Sequence, residues 1–337
     1  MTKNLTESLY DRQNILNNPY ALEKAEQYLS LGGVMFDGET VFTKQQVMDL
    51  FEISDRTIER YLSTHFKELK DNGYQVLKGD KLKLFKRIMH GSDMGDGTKT
   101  SVLSVFSFRA VLNFSMLLTD SERAKALRSR VLDIVIDVMA ERAGGHTKFI
   151  NQRDENYLLA AFQEDNYRQH FIDALDNYVE GNKWMYGRFT NLIYQSIFHE
   201  NATEYKKILK LANDDKIRDT MYAEVLNLIA SFEAGIAHEL QQASTLKARK
   251  LSQKEAMVLF ASFEQHPLFH PLILDARTKM ASRDMCFRDA LHEKLEAYIK
   301  SVPQADFERF LGEKSKSLQE QLSHTDTLAV FKRLKDR

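Results

Sequence analysis

Between Val41 and Leu62 the chain reads VFTKQQVMDLFEISDRTIERYL, and its apolar positions recur at helical spacing on both sides of a short interruption. Val47, Met48, Leu50 and Phe51 give a first short helix its apolar face. Thr43, with Gln46 three residues on, has the spacing of a capping box at the start of that helix. Ile53 supplies the apolar residue of the turn, and Ser54 caps a second helix in which Ile58, Tyr61 and Leu62 face inward. Asp55, Arg56, Thr57, Glu59 and Arg60 are left to point outward. Two strand-like runs follow, Tyr74-Gln75-Val76-Leu77 and Leu82-Lys83-Leu84-Phe85, and the glycine-containing loop Lys78-Gly79-Asp80-Lys81 between them predicts a hairpin. Upstream, Ile15, Leu16, Leu22, Ala25 and Leu29 predict a helical segment from Leu5 to Leu31, ended by Gly32-Gly33.

Gly91 to Thr100 is a polar, glycine-rich stretch. It differs from a phosphate-binding loop because Thr98 separates Gly97 from Lys99 and no apolar strand leads into it. Ser101 to Phe108 then reads as a strand, and Arg109 to Leu118 and Ser121 to Arg142 read as helices broken at Thr119-Asp120. After a hinge at Ala143-Gly144-Gly145-His146, the pattern from Tyr157 onward is helical. Its apolar stripes are Leu158, Leu159, Phe162, Phe171, Ile172, Leu175 and Tyr178; then Leu192, Ile193, Ile197, Phe198, Tyr205, Ile208, Leu209 and Leu211; then Val225, Leu226, Ile229 and Phe232. Only four prolines, at 19, 267, 271 and 303, interrupt the chain, as an architecture of long helices requires. The expected fold is mainly α with a small β-hairpin or sheet: an N-terminal helical arm (1–39), a winged helix-turn-helix (40–95), a strand-helix unit (96–150) and an α-helical oligomerisation or partner-binding region (151–337).

At 337 residues the chain is long enough for two or three domains. The single cysteine, Cys286, excludes an internal disulfide framework, and with neither a secretory apolar region nor a membrane-length apolar run the expected location is the cytoplasm, with no membrane partner. A net charge of −1 means that any nucleic-acid footprint must be local. From Thr40 to Ala110 there are twelve Lys and Arg against nine Asp and Glu, so binding would depend on geometry and on pairing two subunits.

A helix that enters the major groove presents its N-terminal residues to base edges, where Arg bonds guanine through two hydrogen bonds and Ser or Thr bonds base or phosphate. Ser54, Arg56, Thr57 and Arg60 are the candidates for that role. Lys67, and the hairpin cations Lys78, Lys81, Lys83, Lys86 and Arg87, suit phosphate oxygens. A second candidate cluster, Lys183, Trp184, Tyr186 and Arg188, interleaves cations with aromatics as stacking on bases or docking of a second protein would need.

The strand and short helix, the turn Ser121-Glu122-Arg123-Ala124 and then Arg128, Val131, Leu132 and Val135 resemble the closing part of the RhuM and BRO group of phage and mobile-element DNA-binding proteins. With the helix-turn-helix, the likeness covers about Thr40 to Glu141. It implies DNA binding in a regulator or antirepressor, without catalysis. Asp176 to Gly187 resembles the Fic adenylyltransferase loop at Glu180, Gly181 and Asn182, but Asp176 stands where that loop has its His, and Trp184 and Gly187 stand where it has its phosphate-clamping Arg residues. Proton acceptor and charge stabilisation are therefore both missing. His266 and His270 lie four apart, each followed by a proline, and Pro267 and Pro271 disfavour the continuous helix a shared metal would need; Cys286 has no flanking His. The Lys and Arg residues from Lys314 to Arg337 read as a solvated helix face. No cofactor, metal or catalytic residue is expected. The expectation is a sequence-selective double-stranded DNA-binding regulator acting as a homodimer, with a second protein as a further partner of the helical region; the alternative is a DNA-targeted effector or toxin whose helical half is the active part.

Overall fold

A computed structural model of the chain describes residues 4–90, 100–144, 147–181, 184–316 and Glu320. It divides into two compact units, Met1–Glu141 and Arg142–Arg337. Gly91 to Lys99, the Gly145-His146 part of the expected hinge, Asn182, Lys183 and the charged stretch from Gln321 to Arg337 lie outside the described residues.

The first unit begins with two helices where the pattern predicts one. Helix α1 (Leu9–Asn17) ends and α2 (Pro19–Leu29) begins at Asn18, whose side chain accepts the Ala21 N–H at 3.1 Å. Pro19 has no N–H to continue α1, and it holds Asn18 extended, which is also the geometry of a helix cap. The segment is built into the unit. Arg12 makes a double hydrogen bond to Glu68 at 2.7 and 2.8 Å, and Arg109 reaches back to the Leu16 carbonyl and to Asn17.

Strands β1 (Val34–Phe36) and β2 (Glu39–Thr43) form a hairpin across Asp37-Gly38, both at positive φ (55° and 85°), as a tight two-residue hairpin turn requires. The chain passes directly into α3 (Lys44–Phe51), then, after Glu52-Ile53-Ser54, into α4 (Asp55–Thr64) and α5 (Phe66–Asp71). Strand β3 (Tyr74–Lys78) follows. The expected hairpin does not: residues after it form α6 (Gly79–His90), and β3 pairs instead with β4 (Val102–Ser107). Burial decides between the two periods. Leu82 and Phe85, three apart, pack against Phe36, Val41, Leu77 and Val105, while Leu84, which a strand would place on the same face as Leu82, is exposed. The sheet is antiparallel in the order β1-β2-β4-β3, with Val41 opposite Ser107 and Tyr74 opposite Phe106.

On the other face of the sheet, Phe42, Tyr74 and Phe106 join the main core with residues of α3, α4, α7 (Phe108–Leu117) and α8 (Glu122–Ala143). Helix α7 is buried almost all round, with Phe114 between the rings of Phe51, Tyr61 and Phe106.

The second unit is helical. Helices α9 (Tyr157–Tyr178) and α12 (Ala223–Lys247) lie along one another, accompanied by α10 (Trp184–Phe198), α11 (Ala202–Ile208), α13 (Gln253–Glu264), α14 (Phe269–Phe287) and α15 (Gln304–Leu311). Val225, Leu226, Ile229 and Phe232 are core residues, as their spacing predicts; Leu159 is not, standing 44 % exposed on α9. Helix α14 starts at Phe269, after His266 and Pro267. No helix of the described residues is long and apolar enough to cross a membrane.

Candidate nucleic-acid interface

The pair α3 and α4 is set by its ends. Thr43 and Gln46 form a complete capping box, with the Gln46 side chain accepting the Thr43 N–H at 2.8 Å. At the other end Glu52 takes a left-handed conformation (φ 53°), and the Ile53 N–H reaches back to the Met48 carbonyl at 3.1 Å while Ile53 packs on the core. Ser54 then caps α4, its hydroxyl accepting the Thr57 N–H at 3.2 Å. Three residues turn the chain between the helices, each closing an end that would otherwise leave backbone groups unpaired.

Neighbouring elements pin the pair from behind. The Ser121 hydroxyl, which caps the first turn of α8, donates to the Phe51 carbonyl at 2.8 Å, and Arg123 pairs with Glu52 at 2.7 Å. Tyr61, on the inner face of α4, accepts the Thr119 N–H at 3.2 Å. The outward face of α4 is thus offered on a rigid support.

Arg56 is exposed and has no bonded partner among the described residues. Arg60, one turn on, is exposed as well; it lies 3.6 Å from Asp120 and stacks over the Tyr61 ring at 5.2 Å. Ser54 and Thr57 share a hydroxyl contact of 3.0 Å, so both engage the cap itself. Lys67 and Lys70 project from α5, both exposed. Lys78 ends β3 and is exposed; Lys81 lies 3.4 Å from Asp37, and Lys83 lies 3.2 Å from Asp80 within α6. The proposed hairpin cations therefore stand at a strand end and on a helix.

Sequence reading passed over Lys44. Its Nζ lies 2.6 Å from Asp55 and also donates to Glu59, so the first residue of α3 holds two carboxylates of α4. Burial works against its charge, while the bonds to Asp55 and Glu59 raise its pKa above the ordinary lysine value. Lys44 and Asp55 belong to different helices, and no local spacing rule links them.

The second cluster belongs to the other unit. Trp184, at the start of α10, is 78 % exposed; Tyr186 donates to Asp176, and Arg188 reaches Gln253 at 3.5 Å. The Fic-like segment has a structural use: Val179 bridges to Leu251, the Glu180 N–H donates to the Leu251 carbonyl at 2.8 Å, and Lys250 donates to the Asp176 carbonyl at 2.7 Å. Asp176 is thereby committed to Tyr186 and to the link between α9 and the loop before α13.

The chain matches no protein-family model and no curated protein.

Proposed function

We propose that this chain is a sequence-selective double-stranded DNA-binding regulator, that α3 and α4 are its helix-turn-helix, and that α4 is the helix that enters the major groove. The single observation that carries the reading is the stripe Arg56 and Arg60, presented outward from a short helix whose cap, turn and inner face are all fixed by the unit behind it. A rigidly held helix with outward guanidiniums suits bidentate bonding to guanine. The tie from Ser121 to the end of α3 joins the Ser-x-x-Ala turn physically to this helix pair. In place of the expected wing, the paired strands β3 and β4 with α6 follow the reading helix.

Two copies would engage one site, since a local excess of three cations gives a single module little non-specific affinity. Half-sites about 34 Å apart, or a multiple of that, would match a two-fold symmetric pair. Selection of the full chain on a random duplex library, followed by competition with unrelated duplex, tests the proposal. Enrichment of one sequence with inverted half-sites is the expected result. Retention of no duplex at low salt overturns it.

A further inference from the structure

Asp55 and Glu59 sit four residues apart on α4 and so share a stripe beside the start of α3, next to the stripe that carries Arg56 and Arg60. Those acids create a conflict. Asp55 in the first turn favours the helix through its N-terminal dipole, but a carboxylate on a groove-entering helix faces DNA that carries one negative charge for roughly every 1.7 Å of its axis. Left alone, the two acids would cancel Arg56 and Arg60. Lys44 is the group that meets them: its ammonium lies between both carboxylates, and its half-buried side chain starts next to the Thr43 cap.

We infer that Lys44 is a positioning residue for the DNA-reading helix: it draws Asp55 and Glu59 back against α3 and offsets their charge, so that the acids of α4 itself do not cancel Arg56 and Arg60 when the helix meets DNA. The inference rests on α4 being the reading helix. It separates two tasks on one helix, with the acids stabilising its start and Lys44 removing their cost to binding.

The test is a mutant cycle on the full chain, read by fluorescence anisotropy with a labelled mixed-sequence duplex of about 30 base pairs at about 50 mM salt. Lys44→Met should weaken binding about tenfold in the natural background and less than about twofold when Asp55→Asn and Glu59→Gln are also present. Lys44→Arg should bind as the natural chain does. Equal losses in both backgrounds would overturn the inference, because Lys44 would then be touching phosphate directly. Asp55→Asn with Glu59→Gln, Lys44 being kept, should bind at least as tightly as the natural chain; weaker binding by that variant overturns the inference even where Lys44→Met does not fold. Absence of binding by the natural chain itself would instead sink the DNA-reading proposal.

Discussion

Arg60 lies 3.6 Å from Asp120, whereas Arg56, one turn earlier on the same stripe of α4, meets no carboxylate among the described residues. The two arginines are therefore not equivalent donors. Arg56→Ala should cost roughly 1–3 kcal/mol on a preferred sequence and much less on random duplex, as removal of a bidentate base contact does. Arg60→Ala should cost less, because Arg60 must leave Asp120 before it can reach a base. Asp120→Asn should then strengthen binding. Titrations of the three variants against selected and random duplex decide the matter: equal losses for both arginines, with no gain from Asp120→Asn, would show that the ion pair has no hold on Arg60.

The cations proposed to face phosphate divide in the same manner. Lys67 and Lys70 have no bonded partner among the described residues, while Lys81 and Lys83 lie near Asp37 and Asp80. Replacing Lys67 and Lys70 by Ala should lower the slope of log K against log salt by about 0.9 for each phosphate that is no longer neutralised. Replacing Lys81 and Lys83 should leave that slope nearly unchanged. The opposite ranking would move the DNA backbone from α5 to α6.

Much of the candidate interface was legible because its signals are local. Thr43 with Gln46, Ser54 and the inward trio Ile58, Tyr61 and Leu62 are spaced along a single helix pair, and each occupies the predicted role. The hairpin at 74–85 failed because Leu82, Leu84 and Phe85 fit either period over so short a run, and the competition was settled by β4, which lies far along the chain and pairs with β3. Asp37-Gly38 was a hairpin signal that the helical reading of 1–39 overlooked. Lys44 was invisible for a different reason. Its partners sit on another helix, and only the angle between the helices brings them within reach.

Gly73 is a second point where distant residues decide a local choice. It holds φ +102°, and a Cβ there would overlap the Ser107 hydroxyl. That hydroxyl donates to the Asn72 carbonyl at 3.0 Å and accepts the Ala110 N–H at 3.1 Å, capping α7. Gly73→Ala should thus strain the backbone and displace a cap, destabilising the first unit by roughly 2–4 kcal/mol. Gly38→Ala, also at positive φ but facing open space, should cost only about 1 kcal/mol. Hydrogen exchange across α7 is the direct measurement. Similar destabilisation at both glycines would mean that backbone strain alone matters and the overlap with Ser107 adds nothing.

In the second unit, His292 is enclosed between Glu200, 2.9 Å from Nδ1, and Asp284, 2.7 Å from Nε2. Asp284 also accepts from Tyr222 at 2.8 Å and pairs with Arg288 at 2.7 Å. Burial disfavours the imidazolium, but the bonds to Asp284 and Glu200 outweigh it and raise the His292 pKa to about 9. A pKa raised above the unfolded value of about 6.5 means that the native state binds a proton the unfolded chain releases. Its contribution, on the order of 3 kcal/mol, is complete below about pH 6.5 and fades as the pH climbs through 9. Asp284 acts in the other direction: burial opposes its charge, but Arg288 and His292 hold its pKa below the ordinary value, and its contribution is lost on strong acidification. The second unit should therefore be most stable in mildly acidic solution and weaken between about pH 7 and 9. His292→Gln keeps a donor for one carboxylate but has no titrating proton. It should be less stable than the natural chain at pH 6, leaving a buried carboxylate poorly paired, and its stability should change little from pH 7 to 9. Hydrogen exchange in α14, with urea titrations across this range, reads both effects. A natural chain whose α14 protection does not fall between pH 7 and 9 would show that His292 is neutral in the folded protein.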